Sequence, residues 1–189
     1  MGLAEEYLTT LDANIDTVVR EELDHLNAAA DLIVEAMRAG RKAYEYLAGH
    51  LMPYEAAVGR RGRPDLFLPL KDNETDRLEA GDVLVMTHQY GVLEGYINVA
   101  EAAKERGARI IAIAPRSDPE KILRTHPTKT WVGDYAEIVI DTHIPEGDVG
   151  ITAPAGGPGS CPTSGVVQAL VHWMLVCVVA EDAIPRANE

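Results

Sequence analysis

A chain of 189 residues, 47% of them hydrophobic, is of a size to bury one core, and one domain is the expectation. Seventeen Lys and Arg against 30 Asp and Glu leave a formal net charge of −13, which argues against nucleic acid and anionic membrane surfaces as partners. The opening Met-Gly-Leu-Ala-Glu-Glu has no basic region ahead of an apolar one, and the longest apolar stretch, Val166 to Ala180, is interrupted by Gln168 and His172 and is short of the roughly 20 residues a bilayer crossing needs, so a cytoplasmic protein is expected.

From Leu3 to Ala39 apolar residues recur at helical spacing (Leu8, Leu11, Ile15, Val18, then Leu26, Ala29, Ile33, Met37) until Gly40, which predicts one long helix or two in series. Residues 1–40 are thus expected to form a helical segment that packs on a domain of residues 41–189 and on an oligomer interface. Beyond Gly40 the runs Lys42–Ala48, Asp65–Leu68, Asp82–Thr87, Arg109–Ala114 and Glu137–Ile140 read as strands. The clearest unit is the third strand, a helix over Val92–Arg106 ended by Gly107, and the fourth strand. Its all-apolar strands suit a sheet covered on both faces, and a strand, crossover helix, strand unit is parallel and right-handed. Pro154 to Pro162 is too rich in Gly and Pro for regular structure, and Thr163 or Ser164 can cap a final buried helix. Cys161 and Cys177 form no Cys-x-x-Cys pair and no disulfide framework, and are expected as reduced thiols.

Several segments, in order, carry a family resemblance: Arg77-Leu-Glu-Ala-Gly-Asp-Val-Leu-Val-Met, Ala102-Ala-Lys-Glu-Arg-Gly-Ala-Arg-Ile-Ile-Ala-Ile, Thr125-His-Pro, Ala136-Glu-Ile-Val-Ile-Asp and Pro145-Glu-Gly-Asp. Together they resemble the sugar-isomerase (SIS) domain, in an uncharacterised bacterial branch related to phosphoheptose isomerases. The resemblance implies a three-layer α/β/α, Rossmann-like fold with a five-stranded parallel sheet, a homodimer or homotetramer, and a sugar or sugar phosphate bound at the carboxyl edge of the strands. Two loops depart from the family pattern. Where its first loop resembles Gly-x-Gly-x-Ser and its third-strand loop Ser-Asn-Ser-Gly, this chain has Leu47-Ala-Gly-His-Leu51 and Thr87-His-Gln-Tyr-Gly91, in which only Thr87 keeps a hydroxyl at the phosphate position. Backbone donors after Gly91 remain able to hold an anion.

Aldose–ketose interconversion needs a base to move a proton between adjacent carbons and an acid or metal to polarise the oxygens. Candidate catalytic residues are Glu55 as the base with His50, His88 or His172 as polarising groups; Glu55 is alternatively a helix-start carboxylate favoured by the dipole. Gly49, Thr87, Gln89, Tyr90, Gly91, Ser117 and His126 are the substrate-binding candidates, and the bulky His88, Gln89 and Tyr90 either hydrogen-bond sugar hydroxyls or plug the pocket. Gln168 and His172, four apart on one helix face, imitate with His50 and Glu55 the set that holds zinc in phosphoheptose isomerases, although the spacings differ; the alternative is a hydrogen-bonded core histidine. Arg60, Arg61 and Arg63 offer an anion a cation cluster or form a solvated loop. His25 reads as structural, and His143 lies in the loop after the fifth strand. The expected function is a sugar or sugar-derivative isomerase, and the alternative a non-catalytic sugar-binding or scaffolding domain.

Overall fold

Two helices open the chain, α1 (Leu3–Glu21) and α2 (Leu23–Arg38), so the periodic stretch resolves into two elements in series. The break has a physical cause. Glu22 is buried at the junction, where its carboxylate accepts the backbone N–H of Asp141 at 3.0 Å and lies 2.9 Å from His25 Nδ1 and 3.0 Å from His143 Nε2. Asn14 donates to the Thr142 carbonyl at 2.8 Å, a second tie between the helical pair and the end of the last strand. His25 and His143 are therefore part of the docking of the N-terminal helices. The structure, a computed structural model, describes residues 2–116, 129–152 and 159–183.

The strands are β1 (Ala43–Leu47), β2 (Leu68–Pro69), β3 (Val83–Thr87), β4 (Arg109–Ile113) and β5 (Ile138–Ile140), all parallel, in the order β2-β1-β3-β4-β5. A short α3 (Met52–Glu55) follows β1, α4 (Glu94–Glu105) joins β3 to β4, and α5 (Ser164–Ala183) closes the described chain. Alternation along the buried strands divides the core into two layers. Val83, Val85, Ile111, Ile113 and Ile140 face α1, α2 and α5, with Ile33, Val167, Val171 and Leu175 packed on them. Leu84, Met86, Ile110 and Ala112 face α4 through Ile97, Ala100 and Ala103. Each such large side chain taken from water contributes about 1.5–3 kcal/mol. The expected three-layer α/β/α fold with a five-stranded parallel sheet is what the structure has.

Two boundaries differ from expectation. The second strand is Leu68–Pro69 rather than Asp65–Leu68, because buried Arg63 donates to the carbonyls of Ala56 and Phe67 and holds the residues before Leu68 in a turn; proline is tolerated because β2 is an edge strand. Helix α4 starts at Glu94 rather than Val92, since Gly91 has φ +68° and Leu93 is extended. Helix α5 is, among the described residues, the helix long and apolar enough to cross a membrane, yet half of its length is buried in the protein.

Candidate functional site

In parallel sheets of this order the direction of winding reverses between β1 and β3, and the crevice outside their carboxyl ends is where ligands bind. Here the Thr87 hydroxyl donates to the Ala48 carbonyl at 3.1 Å, clamping the two strand ends together and removing the one hydroxyl expected to face a phosphate. Just beyond, Gly49 adopts φ +117°, a region that L side chains rarely enter. A Cβ there would stand 2.8 Å from Gln168 Oε1 and 3.2 Å from Gln89 Oε1, so the glycine lets two amide side chains converge on the crevice.

Gln168 is wholly buried, yet among the described residues neither its oxygen nor its nitrogen has a hydrogen-bond partner; Gln89 Oε1 and Thr163 Oγ1 likewise have none there. Leaving a buried polar group unpaired costs about 1–3 kcal/mol, so a cluster of them marks a place where other polar groups, solvent or ligand, complete the bonding. Amides offer both donor and acceptor, which matches a polyol.

A second group closes one side. Asp148, at the end of a short turn after β5, is buried with φ +54°. Its Oδ1 accepts the N–H groups of Thr163 and Ser164, both at 3.0 Å, and its Oδ2 accepts the Ser164 hydroxyl at 2.6 Å. The start of α5 is thus capped by a carboxylate from a distant loop, not by the side chains of Thr163 or Ser164, as the dipole favours. Ser164 Oγ also lies 3.2 Å from His50 Nδ1. Because the hydroxyl proton is directed at Asp148, Oγ can only accept from His50. Nδ1 then carries the imidazole proton, and Nε2 keeps a lone pair on a half-exposed ring. Tyr90 borders the same space: burial, and then the nearby Asp148 carboxylate, push its phenol above the ordinary value.

His88 is buried, and its Nδ1 accepts the N–H groups of Tyr90 at 2.9 Å and Gly91 at 2.8 Å, while its ring packs 5.0 Å from that of Tyr96. Gly91 is required here, since a Cβ would meet Val132 and the Trp131 indole at 2.8 and 2.9 Å.

The expected zinc set is not brought together. His172 is sealed in the core, its Nε2 3.8 Å from Glu45 Oε2, and burial, with Arg63 acting the same way, lowers its imidazole to about 4. Glu45 on β1 pairs with buried Arg63, but burial outweighs that partner and raises its carboxyl. Glu55 receives the Trp173 indole N–H at 3.3 Å and pairs with Arg60 at 3.2 Å. Gln168 faces Gly49 instead. Among the described residues no three His, Cys, Asp or Glu side chains gather to hold a metal, so zinc does not fit these residues. The arginine cluster is likewise divided, with Arg63 buried on Glu45 and Arg60 on Glu55. Ser117 and His126 lie outside the described residues.

Asp148 and Ser164 were not legible as site residues from the sequence. The available signal was Pro145-Glu-Gly-Asp, a turn placing a carboxylate at the carboxyl edge after β5; its partner, the start of α5, lies 16 residues further on.

No family model matches the chain. It is similar to a UPF0309 protein of Shouchella clausii, 24% identical, with 100% of this chain and 88% of that protein covered, and to one of Brucella ovis, 27% identical over 77% and 70%. Among solved structures it resembles phosphoheptose isomerase from Neisseria gonorrhoeae (TM-score 0.60, 16% identity, 93% of this chain and 96% of that one). It also resembles the Vibrio vulnificus NanR protein complexed with ManNAc-6P (TM-score 0.59, 12% identity, 95% of this chain and 62% of that one). The chain therefore has the sugar-isomerase (SIS) fold, in a branch similar along its length to the UPF0309 proteins.

Proposed function

We propose that this protein is an isomerase interconverting the aldose and ketose forms of a sugar or sugar derivative bound in the crevice between β1 and β3. The observation that carries the proposal is the hydrogen-bonded chain that orients the His50 ring. This chain, from Asp148 through Ser164, directs Nδ1–H of the neutral ring at Ser164 and leaves the Nε2 lone pair free for a proton, on the residue next to Gly49, where the Gln168 amide and Gln89 Oε1 have no hydrogen-bond partner among the described residues. His50 takes the base role expected of Glu55, because the Glu55 carboxylate is held by Arg60 and Trp173.

In the proposed step, Nε2 removes the proton from the carbon next to the carbonyl. The electron pair moves into an enediolate whose oxygens are hydrogen-bonded by Gln168 and Gln89, the hydroxyl proton passes to the former carbonyl oxygen, and the proton on Nε2, exchangeable with solvent on a half-exposed ring, is delivered to the former carbonyl carbon. Asp148 fixes the ring orientation through Ser164, and its carboxylate, 3.8 Å from Nδ1, favours the imidazolium formed in the step.

The phosphoheptose isomerase neighbour supports a catalytic reading, and the NanR neighbour, complexed with ManNAc-6P, supports a ligand of the sugar class. The test is proton exchange in heavy water across a panel of aldoses, ketoses and their phosphates, followed by proton NMR at the carbon next to the carbonyl. Solvent deuterium should enter one sugar with the native protein and not with His50→Gln, while binding of that sugar persists. Binding without exchange in the native protein would assign the crevice to a non-catalytic sugar sensor.

A further inference from the structure

Two successive backbone N–H groups, those of Tyr90 and Gly91, point to one place at the end of β3, and such pairs ahead of a helix form an anion-binding nest. The place is already occupied. His88 Nδ1 stands 2.9 and 2.8 Å from the two nitrogens, from a buried ring packed against Tyr96. An imidazole accepting two N–H bonds from residues two and three positions ahead does what an aspartate or asparagine does in an Asx turn, and it leaves the nest without a free donor.

The surroundings act in the same direction. The Thr87 hydroxyl donates to Ala48, and the Asp148 carboxylate is near enough to raise the Tyr90 phenol. Of the arginines near this edge, Arg63 is held by Glu45, Arg60 by Glu55, and Arg116 donates to the Val139 carbonyl, while Arg61 is exposed in the loop after α3. A dianion placed over Tyr90 and Gly91 would have to displace His88 and would meet the Asp148 carboxylate.

We propose that His88 is a specificity-determining residue that fills the anion nest from within, so that the ligand presents an uncharged, hydroxyl-bearing end to the β3 loop. The substrate class of the proposed isomerase is then sugars without a phosphate at that end. This rests on the crevice between β1 and β3 being the ligand site, but its test does not depend on turnover.

The probe is inorganic phosphate, titrated into the full-length 15N-labelled protein while the Tyr90 and Gly91 amide resonances are followed. The native protein should show no saturable shift at these two amides. His88→Ala frees both donors and should bind phosphate there at least tenfold more tightly than the native protein. His88→Asn, which restores a side-chain acceptor two residues ahead of Tyr90, should be as blind to phosphate as the native protein; His88→Ser takes the place of the alanine variant if that variant fails to fold. Saturable binding at the two amides in the native protein overturns the proposal. So does an opened variant, folded by its spectrum, that still ignores phosphate. If heavy-water exchange finds no isomerised sugar but the opened variant gains phosphate, the isomerase reading falls and the filled nest stands.

Discussion

Acid should weaken this protein through one buried imidazole. His172 is about 1% exposed and is lowered from 6.5 to about 4. Its folded value lies below its unfolded one, so the unfolded chain binds the extra proton: stability is intact above pH 6.5, falls as pH drops towards 4, and levels off below. At about 1.4 kcal/mol per unit the full loss is roughly 3 kcal/mol, of which about 2 kcal/mol falls between pH 7 and pH 5. For a domain of this length that is roughly 4–8 °C in melting temperature. Glu45, whose carboxyl burial raises, titrates in the opposite sense, as do other groups in their own ways, so the comparison must be with a variant. His172→Leu keeps the volume roughly constant and removes the titration. Urea midpoints at pH 7, 6 and 5 should fall more steeply for the native protein than for the variant, with a gap of about 2 kcal/mol opened by pH 5. Parallel curves would show that His172 is not a buried neutral imidazole, and its placement in the core against Glu45 would be wrong.

Asp148→Asn keeps a residue that tolerates positive φ but withdraws the carboxylate from Ser164 and the start of α5. Urea denaturation should show a loss of about 1–3 kcal/mol, and 15N NMR of the His50 ring should show the protonated-Nδ1 form losing its dominance. Gly49→Ala introduces a Cβ at φ +117° and 2.8 Å from Gln168 Oε1. It should cost about 1–3 kcal/mol and abolish binding of any sugar that stabilises the native protein in a thermal-shift panel. Leu51, Val58 and Val166 are exposed, Tyr54 is 76% exposed, and Cys177 is exposed on α5, apolar side chains available for contact with a second copy of the chain. Light scattering at micromolar concentration should give a dimer or larger, and Val166→Glu should shift it towards monomer.

The architecture was legible in the sequence because it follows from local rules. Runs such as Val83–Thr87 and Arg109–Ile113 bury every residue or nearly so, and uninterrupted apolar strands between helical periods leave little but a parallel sheet covered on both faces. Elements held by side chains from elsewhere were not legible: the break at Glu22 depends on Asp141 and His143, and the turn before β2 on Arg63 reaching Phe67 and Ala56.

The site divides in the same way. Gly49, Thr87, His88, Gln89, Tyr90 and Gly91 could be named as candidates because the ends of β1 and β3 mark the carboxyl edge and the resemblance to sugar-isomerase loops points to those two segments. What each does was decided by partners distant in the chain. Four-residue spacing put Gln168 and His172 on one helix face, but only packing set Gln168 against Gly49 and His172 in the core against Glu45. Likewise, Glu55 found Arg60 and Trp173 rather than His50, and His50 found Ser164 and Asp148. A sequence determines which residues lie on one face of their own element; the direction of a proton along a hydrogen-bonded chain depends on which atoms from three separate elements come within hydrogen-bonding reach, and only the tertiary structure decides that.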